Sequence, residues 1–185
     1  MAAAVNADAA HIWDEAEVYL IDASEVTDIA ALVPAGTDVE LDITWLQGFV
    51  GLLDAGKGIP VNPSVEITHY DGYGHARYRS KAKKGTVATG FTALEDNAVT
   101  RKVVLPGSTE GKVGAPKNLR FYTCYVSRDE DIATEILIST RPALIELTSH
   151  SGKVEGTNES YEFTVHHAND SDGDVFFRVD QPETP

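Results

Sequence analysis

At 185 residues with 42% apolar content, the chain is long enough to bury one globular core. Its formal net charge of −14 argues against tight nucleic-acid binding, which needs cations at phosphates, but leaves open a surface past which nucleic acid slides. A single cysteine excludes an internal disulfide, and no apolar run reaches the roughly 20 residues of a membrane-spanning helix.

Residues 1–16, rich in Ala and Asp, read as an N-terminal arm ahead of one domain over residues 17–185. The arm has no basic region followed by an apolar core, so no secretory signal is expected. Residues 17–22 (EVYLID) form a first strand, and residues 24–32 a short helix or an irregular loop closed by Pro34-Ala35-Gly36. The cleanest alternation follows at 37–44. Asp38, Glu40 and Asp42 point one way and Val39, Leu41 and Ile43 the other, which predicts a half-buried strand with an acidic outer face. That face is either merely solvated or functional. Gly48, Gly51, Gly56, Gly58, Pro60 and Pro63 break residues 45–63 into a short strand and a loop. Residues 64–70 form a strand, and Asp71-Gly72-Tyr73-Gly74 a turn.

Over residues 75–84, Arg77, Arg79, Lys81 and Lys83 fall at period two with Lys84 beside them, so an extended segment lines cations along one face. Such a strip in an acidic chain serves contact with an acidic surface, a neighbouring copy for instance, or protection of an edge strand; nucleic-acid binding comes third, since no aromatics beyond Tyr73 and Tyr78 interleave with it.

Residues 86–107 are the landmark of the chain. Val87, Thr89 and Phe91 alternate as a strand, and then Leu94, Ala98, Val99, Val103 and Val104 recur at helical spacing. Glu95 and Asp96 in the first turn, with Arg101 and Lys102 in the last, suit the helix macrodipole, and Pro106-Gly107 stops the helix. After a loop at 108–118 come strands at 119–127, 132–139 and 143–149, the first holding Cys124 as a buried structural thiol. Residues 161–167 and 174–180 read as a closing hairpin with HANDSDGD at its tip. The fold class is therefore mainly β with one short helix (α+β). Two packed antiparallel sheets form a sandwich or barrel, with a terminal arm and a long hairpin loop.

Nothing in the chain commits to catalysis. It has no Gly-rich phosphate loop and no GxSxG, HExxH or CxxC. His166, His167, Asp170, Asp172 and Asp174 lie close in sequence, but adjacent residues of a strand point to opposite faces. An EF-hand loop starting at Asp170 would need Gly and Glu where Val175 and Gln181 stand. No enzyme, cofactor or metal is expected.

An ordered series of features remains. Trp45 to Gly48 is followed by Asp54-Ala55-Gly56 and a Pro-rich strand entry, then the basic stretch, then Phe91-Thr92-Ala93-Leu94-Glu95-Asp96-Asn97 and Leu105-Pro106-Gly107. Tyr161-Glu162-Phe163-Thr164-Val165 and Phe176-Phe177-Arg178-Val179 close it. In this order, over residues 13–107 and 160–180, the chain resembles the major tail (tail tube) proteins of long-tailed, non-contractile phages.

The resemblance implies a structural virion protein with a tail-tube-like β domain. Its subunits would form hexameric rings stacked into a tube whose acidic lumen conducts DNA during ejection. The implied partners are further copies of the chain, a tape-measure protein in the lumen, the tail terminator, distal tail or baseplate proteins, and viral DNA in transit, with no membrane. Location in the virion, after assembly in the host cytoplasm, follows. On this reading Asp38, Glu40 and Asp42, with Glu146 and Glu162, are candidates for the lumen, where carboxylates repel DNA. Arg77, Arg79, Lys81, Lys83 and Lys84 are candidates for contact between subunits or rings. A secretion-type tube protein and a monomeric β-sandwich binding module are the alternatives.

Overall fold

A computed structural model describes residues 12–83, 85–105, 111–115, 117–129 and 132–180. Its strands are β1 (Glu15–Asp22), β2 (Val61–Ser64), β3 (Ile67–Gly72), β4 (His75–Ala82), β5 (Thr86–Ala93), β6 (Arg120–Asp129), β7 (Ile132–Ser139), β8 (Ala143–His150), β9 (Tyr161–His166) and β10 (Phe176–Asp180). Its helices are α1 (Ile43–Leu46) and α2 (Ala98–Val104). Eight strands make one antiparallel sheet, while β3 and β4 pair apart from it.

The sheet forks at β6. One edge of this strand pairs with β1 from Phe121 to Arg128. The other edge pairs first with β8, at Arg120 and Phe121, and then with β7 from Cys124 onward. Two leaves result: β1, β6, β7 and β10 form leaf one, and β8, β9, β5 and β2 form leaf two. At the fork the N–H of Thr123 donates to Ser139 Oγ at 2.9 Å, and both residues are fully buried. A buried backbone donor between two strand partners thus finds a side-chain acceptor.

Period-two alternation feeds two cores. Val18, Leu20, Phe121 and Tyr125 meet Phe91, Phe163 and Val165 between the leaves. Tyr19, Ile21, Cys124 and Val126 face the other way and join Ile136 and Ile138 beneath a covering layer drawn from residues 23–47. Trp45 is fully buried in that second core, and its Nε1 donates to the Leu32 carbonyl at 3.0 Å. Leaf one is covered on both faces, which is why EVYLID and RFYTCYV read as continuous apolar runs.

Five expectations are corrected. Residues 37–44 are not a strand: Asp42 caps α1, its Oδ1 accepting from Thr44 N–H at 2.8 Å and from the Thr44 hydroxyl at 2.6 Å. Those bonds hold the Asp42 carboxyl below the usual carboxylate range. Leu41 packs on the second core while Val39 and Ile43 stay exposed, so local capping overrides the period-two pattern.

Helix α2 begins later than the charges suggest. Asn97 is its cap, accepting from Val99 and Thr100 N–H at 3.0 Å each, while Glu95 and Asp96 precede it. Glu95 instead accepts from Leu52 N–H at 3.1 Å, and Asp96 pairs with Arg101. The proposed stop at Pro106-Gly107 lies outside the described residues. The segment at 64–70 is divided: β2 stays in leaf two and β3 leaves it.

The closing segments form no hairpin. β9 pairs with β5 and β8, and β10 with β7, so residues 167–175 cross from one leaf to the other. Asp170 Oδ1 gathers the N–H groups of Asp172, Gly173 and Asp174 and shapes that crossing. Of the expected arm, residues 1–11 lie outside the described residues, and Glu15 and Ala16 belong to β1.

We expect Ser139→Ala to lower the unfolding free energy by about 1–3 kcal/mol, because it strands the buried Thr123 N–H. Urea denaturation followed by circular dichroism measures it, and an unchanged midpoint would contradict the role given to the hydroxyl.

Candidate assembly surfaces

Leaf two has one dry face and one wet face. Ile145, Leu147, Phe163 and Val165 turn inward to the core between the leaves, so Leu144 and Glu146 on β8, with Glu162, Thr164 and His166 on β9, turn outward. Glu146 lies opposite Thr164 in the register, and its carboxylate meets His166 Nε2 at 3.0 Å. Glu162 sits 3.7 Å from Lys57 Nζ. The leaf ends at β2 on one side. On the other side, β8 beyond Leu144 pairs with no further strand at that edge, among the described residues.

Asp38, Glu40 and Asp42 lie elsewhere. They belong to the layer covering leaf one, with Leu41 packed beneath them, and both cores separate them from Glu146 and Glu162. The five acidic candidates are therefore two groups on opposite sides of the molecule.

The cationic candidates stand on the β3–β4 hairpin. Arg79 lies opposite Tyr70 and Lys81 opposite Thr68. Lys83 continues the row, its N–H donating to the Glu66 carbonyl and its Nζ lying 2.9 Å from the Glu66 carboxylate. Arg77 departs from the row. Three residues of β4 oppose one of β3 between the pairs at Gly72 and Tyr70, and Arg77 takes a left-handed φ of 50° in that bulge. Its N–H is held by Asp71 Oδ1 at 2.6 Å. Lys84 lies outside the described residues. The hairpin exposes Val65, Ile67, Tyr70, Tyr73 and Tyr78 along with its cations. A lone two-stranded hairpin is marginally stable in water, and this one leaves several large apolar side chains exposed.

The adjacent histidines part as strand geometry requires. His166 is on the wet face, whereas His167 is buried, its Nε2 2.9 Å from Thr89 Oγ1. Thr89 in turn shares a hydrogen bond with the Tyr125 hydroxyl, and Phe176 packs edge-on against the imidazole. Burial pushes the His167 pKa down to about 4 and the Tyr125 hydroxyl up to about 12. Sequence reading missed this trio because its members stand on β5, on β6 and just past the end of β9, with nothing in their spacing to link them. Among the described residues no group of three or more His, Cys, Asp or Glu is placed to hold a metal ion. Cys124 is fully buried, and burial raises its thiol pKa far above the ordinary value.

No protein-family model matches the chain, and no curated protein matches it. Among the described residues, no helix is long and apolar enough to cross a membrane.

His167 makes stability depend on pH. Its ordinary pKa of 6.5 falls to about 4 in the fold, so between those values the unfolded chain binds a proton that the folded chain refuses. Stability is full above pH 6.5 and declines as the pH falls toward 4, by up to about 3 kcal/mol. We expect the urea midpoint to drop across this window and His167→Gln to flatten that part of the profile, at some cost near neutrality.

Proposed function

We propose that the chain is a tail tube subunit whose copies join edge to edge into rings that stack into a conduit for DNA. The observation that carries this reading is leaf two, with four strands, a wet outer face and, among the described residues, an open edge on either side. An open edge is a template for another strand. Because β2 and β8 are different edges, pairing β2 of one copy with β8 of the next is heterologous, and such a contact closes into a ring when the rotation allows. Leaf two of every copy then becomes part of one continuous barrel, and that leaf keeps no free edge.

In that arrangement the wet face of leaf two lines the lumen, with Glu146 and Glu162 directed at the cargo. Lys57 offsets one of the two carboxylates, so each copy adds little charge, and the ring multiplies it. A DNA duplex carries about one negative charge per 1.7 Å, and charges interact over about 8 Å at physiological salt. The wall therefore repels DNA at short range and lets it slide. Asp38, Glu40 and Asp42, on the far side of both cores, face outward in this reading and contribute to solubility. The tape-measure protein, the tail terminator, the distal tail proteins and the virion location belong to the same proposal, as does the absence of catalysis.

Negative-stain electron microscopy of the concentrated protein tests it. Rings or tubes with a stain-filled channel are expected, and dispersed particles at every concentration and salt tried would overturn the reading. Wild-type tubes should leave duplex DNA free at physiological salt, whereas tubes carrying Glu146→Lys and Glu162→Lys should retain it and release it as salt rises. Equal retention by both would remove leaf two from the lumen.

A further inference from the structure

We propose that residues 167–180 form an acid-released strap: protonation of His167 frees the crossing between the leaves together with β10, and so uncovers the edge of β7. The device belongs to the single subunit and does not depend on the tube reading.

His167 is the first residue past β9, where the chain leaves leaf two for leaf one. Its N–H donates to the Val87 carbonyl at 3.1 Å, which holds the departure point to β5. Its imidazole stands between the leaves. Thr89 of leaf two meets Nε2 at 2.9 Å, and from leaf one the rings of Tyr125 and Phe176 lie 6.3 and 4.7 Å away, centre to centre. Phe176 opens β10, so this one ring sits at the start of the crossing and packs against its end.

Nδ1 of this ring is buried without a hydrogen-bond partner. The neutral imidazole tolerates that, with Nε2–H donating to Thr89 Oγ1 and Nδ1 left as a bare acceptor. A second proton turns Nδ1 into a charged donor with nothing to receive it. The surroundings supply no counter-charge. β5 presents the Thr89 hydroxyl, β6 the Tyr125 hydroxyl and β10 the Phe176 ring. On the β9 side His166 opposes a positive charge, and the carboxylate of Glu146 pairs with His166 on the wet face. In the crossing Asp172 and Asp174 are exposed, and the Asp170 carboxylate is taken by three N–H groups of its own turn and faces Arg141. An imidazolium at this place finds its partner only in water.

The elements touching His167 are not equally anchored. β9 is held on both edges, by β5 and β8, and β5 lies between β9 and β2. β6 pairs with β1 on one edge and with β8 and β7 on the other. β10 has five residues and, among the described residues, pairs with β7 alone. Thr140 secures the crossing, its N–H donating to the Val175 carbonyl at 2.9 Å and its hydroxyl to the Asp174 carbonyl. Arg178 adds an ion pair to Glu135, with its own side chain largely in solvent. Water therefore reaches the ring most easily when the crossing lifts and β10 peels away, an opening that lies below global unfolding. The bared edge of β7 can then accept another strand.

Hydrogen exchange read by mass spectrometry at pH 7 and pH 4 tests the strap, with each rate divided by the intrinsic rate at that pH. The ring titrates at its ordinary 6.5 when open and at about 4 when closed, so opening grows as the pH falls between those values. Residues 168–180 should be less protected than β9 at both pH values, and their protection should fall by about a hundredfold from pH 7 to pH 4. His167→Gln should abolish the fall, whatever it does to the level at pH 7. His166→Gln, a change on the wet face, should preserve it. Equal protection of β9 and residues 168–180 at pH 4 would overturn the strap in favour of global unfolding. A fall that persists in His167→Gln, or vanishes in His166→Gln, would overturn the role of His167.

Discussion

Strand β6 gives one edge to β1 and divides the other between β8 and β7, and two strands cannot share one edge without parting. The rest of the architecture follows from that division. The sheet opens into two leaves, apolar side chains of both fill the angle, and the reverse face of leaf one needs a cover of its own. The residue at the division would carry an orphaned N–H in a dry core, a cost of the order of a lost hydrogen bond, and the Ser139 hydroxyl removes it. Because leaf one absorbs burial on both faces, leaf two can leave one face in water.

The charge distribution has a similar logic. A chain at −14 repels its own copies at long range, and about 8 Å of screening in physiological salt limits this to close approach. Random encounters between carboxylate-covered surfaces are thereby suppressed. The cations of β4 stand out from that background on a hairpin that, among the described residues, pairs with no third strand, so positive charge is concentrated on one projecting element. Segregation of this kind favours few relative orientations over many.

Much of the fold was legible in the sequence, and the failures have physical causes. β1, β5, β6 and β8 lie within a residue or two of their apolar runs, because burial on one or both faces imposes the pattern directly. The stripe of α2 was legible too, although Asn97 takes the cap while Glu95 and Asp96 are engaged by the Leu52 N–H and by Arg101, which moved the start. The alternation at 37–44 misled because an Asp ahead of a short helix and an Asp on a strand look alike in sequence. β9 and β10 are neighbours in the chain but not in space: Phe163 and Val165 are claimed by the core between the leaves, and Phe177 and Val179 by the core under the cover. For the same reason the acidic candidates were read as one set. Which side a carboxylate faces depends on the leaf it stands on, and leaf membership is a property of pairing. The cationic row was legible except at Arg77, where an unannounced bulge turns the backbone.

The layer over leaf one is made of two 3-10 turns, the short helix α1 and connecting loops, with Trp45 as its largest buried side chain. Few ladder hydrogen bonds tie it to the sheet, so it can open as a unit at a lower free energy than global unfolding requires. The chain carries its own reporter of that event. It has two tryptophans: Trp13 lies half-exposed just ahead of β1, and Trp45 lies sealed under the cover. The two indoles therefore differ in solvent access, and quenching of intrinsic fluorescence by a small solute separates the opening of the layer from changes at the start of β1.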